Sequence, residues 1–353
     1  MALKRRTEGG PLSERERTVL EAVIRTYVET AEPVGGRTLA RRYDLGVSAA
    51  TIRNTMADLE ADGYLSHPHA SAGRVPADLA YRYFVDRLVM PEALTPEETG
   101  LIEVQLAASD STVQQTLRSA TRALGILVNV LGVGSVPQME DAFLESIELI
   151  RVSSSKLLMV VTVGGGLVRT VYIDLPGEIP GDLLEDLRVV LNERLRGITF
   201  AEIRRSFGDR VRDSVEDPAT RDVLNIFVES SEEIFGPGGA VEPDEVVLGQ
   251  TSAMANQPEF ANSERLMELI ELTERKDLLG NILGSRASGG GPYVTIGAEH
   301  APELADFTLV TSGYRMGGLR GVVGVIGPTR MPYEKVIAIV DYTSSLVTRM
   351  LEP

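Results

Sequence analysis

Ser-Ala-Ala-Thr-Ile-Arg-Asn, at residues 48–54, is the stretch from which the fold of this chain can be argued. Ser48 is a suitable N-cap, because its hydroxyl can accept a hydrogen bond from a free amide of the first helical turn. Ile52, Met56 and Leu59 follow at i, i+4 and i+7, so one side of the helix is predicted to face a core. Arg53 and Asn54 lie on the other side, and such side chains pair bidentately with guanine and adenine. The segment predicts a helix that reads bases in DNA, although alone it fits an ordinary surface helix equally well.

The residues that precede this helix favour the DNA-reading interpretation. Ser13 and Glu16 match the Ser-x-x-Glu capping box, which predicts that a first helix begins here and ends before Pro33. A short second helix is predicted over residues 36–43, and a turn that contains Gly46 follows it. Two short helices joined by a glycine-containing turn are typical of a helix-turn-helix.

The residues that follow the helix predict a wing. Residues 64–69 are strand-like, residues 70–73 form a turn, and residues 74–76 return as a second strand. A hairpin after a recognition helix usually runs along one phosphate strand and carries Arg and Ser to it. A further helix is expected to begin near Ala77. Residues 1–90 are therefore predicted to be a winged-helix DNA-binding domain.

The candidate DNA contacts come from the second helix, the reading helix and the wing. They are Arg37, Thr38, Arg41, Ser48, Ala50, Thr51, Arg53, Asn54, Ser71 and Arg74. We expect Arg53 and Asn54 to read base edges, because Arg and Asn match the donor and acceptor patterns of the major groove. We expect Arg74 and Ser71 of the wing to position the phosphate backbone.

The net charge of −16 suggests at first that this chain does not bind nucleic acid. The charge is unevenly distributed, however: residues 1–90 contain 13 Lys and Arg against 12 Asp and Glu, so the net negative charge comes entirely from the residues beyond them. Phosphate contacts depend on local positive charge. Glu21, Asp58, Glu60 and Asp62 can face away from DNA. The distribution favours a site-specific binder over a non-specific coating protein.

Length and composition limit the remaining possibilities. A chain of 353 residues with 43% hydrophobic and 24% charged residues is expected to form two or three globular domains. The absence of cysteine excludes disulfides and thiolate metal sites, and it favours a cytoplasmic location. The basic start lacks the apolar segment of a signal peptide, and no apolar run has the length of a membrane span.

Beyond Pro91 the pattern predicts alternating helical and strand-bearing regions. Strands are expected at residues 147–152, 156–163, 167–174, 293–296, 307–310 and 322–326, with mostly helices at 180–283 and a final helix at 333–351. Two strand-bearing segments around a helical block suggest one α+β domain, residues 91–180 and 290–353, interrupted by a domain at 181–289. Three consecutive domains are the alternative, but each would then contain a thin sheet with a poor core.

One helix in this region carries a heptad-like apolar seam. Its members are Val113, Leu117, Ala120, Leu124, Leu127 and Leu131. Such a seam fits either a helix packed on the sheet of its own domain or an intermolecular coiled coil.

Motifs for catalysis, metals or cofactors are weak. His67 and His69 lack thiolate or carboxylate partners nearby in the sequence, so we expect no metal site there. The glycines between Gly317 and Gly327 match neither a P-loop nor a dinucleotide-binding fingerprint. Neither catalytic residues nor a cofactor are expected, and the chain is predicted not to be an enzyme.

Several segments together resemble the HrcA family, the bacterial heat-inducible transcription repressors. They are residues 32–39, 48–59, 63–74, 256–260 and 324–333, so the resemblance covers essentially the whole chain. Two positions depart from the family pattern: Gly36 stands where Ser is expected, and Ala70 where Thr is expected. Two hydroxyl contacts to phosphate are therefore absent.

The resemblance implies an α+β multidomain chain: an N-terminal winged helix-turn-helix and a GAF-like domain interrupted by an inserted dimerisation domain. It also implies a homodimer that represses chaperone operons at an inverted-repeat operator called CIRCE and depends on the GroEL chaperonin for activity. Two alternatives remain open. One is a repressor gated by a small molecule in the GAF-like domain, and the other is a chaperone adaptor whose winged helix binds proteins.

Overall fold

The structure is a computed structural model. It describes residues 12–69, 72–107, 112–137, 142–164, 167–212, 218–235, 246–255, 257–287, 291–300, 302–317 and 319–352. The described chain is a mixture of α-helices and antiparallel β-sheets, as the α+β prediction requires. Ser71 and Ala70 of the predicted wing lie outside the described residues.

The amino-terminal part contains the predicted helices and hairpin. Its elements are α1 (Glu14–Thr30), α2 (Gly36–Arg42), α3 (Ala49–Ala61), β1 (Leu65–Ser66), β2 (Val75–Pro76) and α4 (Asp78–Arg87). The capping box at Ser13 starts α1, because the Ser13 amide donates to Glu16 Oε2 at 2.7 Å and the Glu16 amide donates to Ser13 Oγ at 3.3 Å. The stripe of Ile52, Met56 and Leu59 is fully buried, so α3 packs as predicted.

The remaining elements form two further units. The helices are α5 (Pro96–Ala107), α6 (Val113–Val128), α7 (Gly181–Leu195), α8 (Phe200–Arg212), α9 (Pro218–Glu229), α10 (Ser231–Phe235), α11 (Thr251–Ala255), α12 (Ser263–Glu274), α13 (Lys276–Gly284) and α14 (Tyr333–Leu351). The strands are β3 (Leu131–Ser135), β4 (Leu144–Ser153), β5 (Lys156–Val163), β6 (Leu167–Asp174), β7 (Val246–Leu248), β8 (Tyr293–Ile296), β9 (Phe307–Met316) and β10 (Leu319–Pro328).

The larger unit, called the body, is built on a five-stranded antiparallel sheet with the order β7-β3-β10-β9-β8. Successive side chains of a strand point to opposite faces. Val323 and Val325 of β10 accordingly join one core with residues of α6 and α14. Val322 and Ile326 join a second core with residues of α11, α12 and α13. The sheet is thus covered by helices on both faces.

The smaller unit, called the insert, is a three-stranded antiparallel sheet of β4, β5 and β6 that packs on α7. Leu157, Met159 and Val161 of β5 are buried, whereas the residues between them are only half-buried. Asn192 of α7 fastens the helix to the sheet, since its amide donates to the Ile147 carbonyl and its Oδ1 accepts from the Ile147 amide, each at 2.8 Å. One sheet face is therefore covered by helices.

The strand pairings group the elements differently from the predicted domains, whose boundaries are at 180 and 290. Within the described residues, the strands at 144–174 pair with one another and not with the body sheet. The helices at 251–284 cover the body sheet and were expected in the insert. Alternating hydrophobicity indicates that a strand exists but not which strand pairs with it, so the pattern could not set these boundaries.

The seam of α6 packs inside the chain. Leu117, Ala120 and Leu124 are completely buried, and the helix packs on β3, β10 and α14. Leu131, the last member of the predicted seam, begins β3 instead of continuing the helix. The intermolecular coiled coil is therefore wrong, because the surface that it needs is already occupied. Across the described ranges, no helix has the length and apolar character needed to cross a bilayer.

Candidate DNA-binding surface

The reading helix α3 presents the predicted base-reading residues on its free side. Ala50, Arg53 and Asn54 are exposed, opposite the buried stripe. Ser48 caps the helix, because its Oγ accepts a hydrogen bond from the Thr51 amide at 3.1 Å and lies 2.9 Å from Thr51 Oγ1. The two hydroxyls thus stabilise the amino end of α3, and the exposed side chains beyond it can approach a groove.

The second helix α2 adds positive charge beside α3. Arg37, Thr38 and Arg41 are exposed, and Arg37 and Arg41 share one face because they are four residues apart. Within the described ranges, neither arginine forms an ion pair, whereas the neighbouring Arg42 pairs with Glu29. The two arginines of α2 that the sequence assigned to DNA are therefore left without a carboxylate partner among the described residues, whereas Arg42 is not.

Gly36 permits the observed position of Arg53. A Cβ atom placed on Gly36 would lie 2.6 Å from Arg53 Cγ, which is closer than side-chain carbons approach each other. The Arg53 side chain therefore crosses the start of α2, and its Nε lies 3.4 Å from the Ala49 carbonyl oxygen. The glycine that replaces the hydroxyl expected from the family pattern thus affects the path of a predicted base-reading side chain.

Glu60 links the reading helix to the wing. Arg74 Nε donates to Glu60 Oε2 at 2.9 Å, and His67 Nδ1 lies 2.5 Å from Glu60 Oε1. Burial opposes the ionisation of Glu60, but the hydrogen bonds from His67 and Arg74 outweigh it and hold the pKa of Glu60 below its ordinary value. The sequence suggested only that Glu60 can face away from DNA, and it gave no sign that its carboxylate holds Arg74 of the predicted wing. The contact joins residues 14 positions apart, so it has no local sequence signal.

Replacing Glu60 with Gln is expected to strengthen binding to all DNA sequences about equally. The change removes a negative charge beside Arg74 and releases its guanidinium for phosphate. One added phosphate contact should steepen the dependence of affinity on salt by about one charge. Fluorescence anisotropy with a cognate and a scrambled duplex, at several salt concentrations, measures both effects. The double variant Glu60→Gln/Arg74→Ala should lose the gain, and an unchanged salt slope in Glu60→Gln would show that Arg74 does not reach phosphate.

The winged helix is attached to the body on the side of α4. Arg82 Nη2 donates to the Val294 carbonyl at 2.7 Å, and Arg82 Nε donates to Glu299 Oε1 at 2.6 Å. Asp78 Oδ2 accepts a hydrogen bond from the Ala298 amide at 3.0 Å. These polar contacts join α4 to β8 and the turn after it, and they leave the exposed face of α3 free.

A second attachment, called the Arg330 junction, is centred on a nearly buried arginine. Arg330 Nη1 donates to the Val28 carbonyl of α1 at 2.7 Å. The same guanidinium donates to Glu259 Oε1 at 2.5 Å and to Gln257 Oε1 at 2.9 Å. The junction therefore connects residues of two segments that carry the family resemblance, Gln257 and Glu259 of the first and Arg330 of the second, to α1. Sequence patterns could not indicate it, because its partners lie 71 to 302 residues apart.

A pair of histidines, His67 and His69, lies in the predicted wing. The described residues contain no group of three or more His, Asp or Glu side chains arranged to hold a metal ion. His67 instead contacts Glu60, as above, and His69 is exposed.

Comparisons with known proteins agree over nearly the full length. The family model described as the HrcA protein C terminal domain matches residues 114–337. The heat-inducible transcription repressor HrcA of Chlorobium phaeobacteroides is 36% identical over 353 residues, which cover 96% of this chain and 98% of the relative. That of Pelotomaculum thermopropionicum is 36% identical over 343 residues, with 97% of each chain covered. A crystal structure described as a hypothetical protein matches with a TM-score of 0.55 at 22% identity, over 96% of this chain and 97% of the other.

Proposed function

The chain belongs to the HrcA family of heat-inducible transcription repressors, and we propose that it represses chaperone operons by binding an inverted-repeat operator of the CIRCE type. The observation that carries this proposal is the exposed side of α3. Arg53 and Asn54 lie there, and the adjacent helix α2 exposes Arg37 and Arg41, which form no ion pair within the described ranges. This combination of base-reading and phosphate-binding groups is what a recognition helix requires.

The proposal assigns different roles to the three DNA-facing elements. Arg53 and Asn54 contact base edges, and Ala50 and Thr51 allow α3 to approach the groove closely. The exposed side chains of α2, Arg37, Thr38 and Arg41, contact phosphates. Arg74 and Ser71 of the wing are assigned to the backbone as well, with Arg74 exchanging Glu60 for a phosphate when DNA binds.

We also propose that the protein acts as a homodimer, because an inverted repeat is matched by a two-fold symmetric reader. The supporting feature is the insert, taken as residues 142–235. One face of its sheet is not covered by any described residue and is called the open sheet face. Its apolar members are Ile150, Leu158, Val160, Val168 and Tyr172, and Glu148, Thr162 and Thr170 lie on the same face. The side chains of Ile150, Val168 and Tyr172 are 50%, 56% and 55% exposed. Several exposed large apolar side chains on one sheet face support a protein interface there.

Regulation is proposed to act through folding and the GroEL chaperonin, without catalysis. The curated relatives are named as repressors, which are not enzymes. A repressor that loses its native population on heating needs no further sensor, because a change of about 1–2 kcal/mol in the free energy of unfolding alters active abundance several-fold.

Footprinting on chaperone promoters tests the function and its regulation together. Full-length protein refolded with purified chaperonin should protect an inverted repeat more completely than protein refolded alone. Excess unfolded substrate, which occupies the chaperonin, should reduce that protection. Protection of no promoter would contradict the repressor assignment. Protection that ignored chaperonin but responded to a metabolite would favour the alternative of a repressor gated by a small molecule.

A further inference from the structure

A cleft of 460 Å³ lies between α13 and strands β8 and β9 of the body. Its lining includes Arg286, Tyr293, Thr295, His300 and Thr311. Tyr293 and Thr311 are paired across the two strands, so their side chains lie on the same sheet face. The volume falls within the range of small-molecule sites, which is about 300–1,000 Å³.

Arg286 is a partly buried cation of this cleft that forms no ion pair with the described carboxylates. Its Nη2 donates to Thr295 Oγ1 at 2.5 Å, and its guanidinium carbon lies 5.1 Å from the centre of the Tyr293 ring. Its Nη1 is buried, and none of the described residues forms a hydrogen bond with it. Across the described residues, Arg286 forms no ion pair with any carboxylate, since the nearby Glu299 is held by Arg82 and by the Ile296 amide.

The positive charge of Arg286, unpaired among the described residues, destabilises the fold unless an anion neutralises it. Burial lowers the pKa of Arg286 to about 10, so the side chain still carries its charge at neutral pH. A buried charge without a partner destabilises a fold, and proteins normally pair such groups. Nη1 has a hydrogen that no described residue accepts, and Arg286 lines the adjacent cleft, so an anion in the cleft can accept a hydrogen bond from it.

We propose that this cleft binds a small oxyanion, a carboxylate or a phosphate group, on the guanidinium of Arg286. The planar guanidinium matches the paired oxygens of either group and forms short, charge-assisted hydrogen bonds to them. Hydroxyl groups of Ser285 and Thr311 line the same cleft, but each already donates its hydrogen to a backbone carbonyl, of Ile282 and of Tyr293, so the guanidinium is the donor that remains for the ligand. The aromatic ring of Tyr293 provides an apolar wall.

The position of the cleft connects it to the winged helix. Strand β8 supplies Thr295 to the cleft and the Val294 carbonyl to Arg82 of α4. Glu299 also lines the cleft and receives the second hydrogen bond from Arg82. A bound anion therefore contacts the same short segment that holds the DNA-binding unit. An effect on operator binding rests on the proposed function, whereas binding of the anion does not.

Thermal unfolding of the full-length protein tests the site with inorganic phosphate and with acetate, each against chloride at constant ionic strength. Saturating ligand should raise the Tm of the wild type by about 2–4 °C, because it binds only the folded state. The variant Arg286→Met should show no rise. The matched control Arg275→Met, which alters an exposed arginine at the start of α13 that pairs with Glu303, should respond like the wild type.

A second measurement distinguishes a ligand site from a structural role. In chloride alone, Arg286→Met should keep or raise the Tm, because it removes an unpaired charge from a partly buried position. A response to phosphate alone assigns a phosphate ligand, and a response to acetate assigns a carboxylate. The proposal is overturned if neither anion shifts the wild type, if Arg286→Met responds equally, or if Arg286→Met lowers the Tm in chloride.

Discussion

Replacing Ile150 with Glu is expected to leave the repressor monomeric and to weaken binding to an inverted-repeat operator by about 10²-fold or more. Ile150 is paired with Leu158, which is paired with Tyr172, so the change places a carboxylate in a row of the open sheet face. Association would bury that charge without a partner, which is strongly unfavourable. Each monomer then binds one half-site and loses the high effective concentration of a linked second unit.

Sedimentation velocity measures the oligomeric state, and anisotropy with a full operator and a single half-site measures the two affinities. The matched control is Val189→Glu, which alters an exposed apolar residue of α7 on the helical side of the insert. It should remain dimeric with unchanged operator affinity. A dimeric, normally folded Ile150→Glu protein would place the dimer contacts elsewhere.

Replacing Arg53 with Ala is expected to cost about 1–3 kcal/mol of binding free energy on the cognate operator and to relax the base preference at one position. The side chain is exposed on α3 and forms no ion pair within the described ranges, so its removal leaves no carboxylate unpaired in the fold. Arg74→Ala, by contrast, should weaken all sequences about equally, because a phosphate contact carries no base information.

Competition binding with single-base operator variants separates these outcomes. Arg42→Ala provides the control. Arg42 lies on α2 and is exposed like Arg53, but it is already paired with Glu29. An exposed pair of this type contributes little, about 0–1 kcal/mol, and its loss should not alter base preference. If Arg53→Ala leaves the ratio of specific to non-specific binding unchanged, α3 is not the reading helix.

The winged helix could be predicted in detail because its signals are local. The caps at Ser13 and Ser48 and the stripe from Ile52 to Leu59 each involve residues within one or two helical turns. Such interactions depend on spacing along the chain, which a sequence displays directly. The exposed position of Arg53 and Asn54 follows from the same spacing.

The domain boundaries and the contacts of the site depend on distant residues and could not be predicted in this way. Strand β3, Leu-Gly-Val-Gly-Ser, contains two glycines and lacks a clear alternating pattern, and β7 has only three residues. Strand β3 forms because β10 and β7 pair with its two edges, and β7 forms because β3 pairs with it. The pairing of Glu60 with Arg74 likewise appears only when the wing folds back on α3.

The Arg330 junction restricts the spacing of the two DNA-binding units in the proposed dimer. Since α1 is fastened to the body by Val28 and α4 by Arg82, the winged helix projects from the body at a defined angle and is not carried on a loose tether. The distance between two reading helices across a two-fold axis is then a fixed dimension of the folded protein. In the proposed dimer, the body therefore sets the length of DNA that separates the two operator halves.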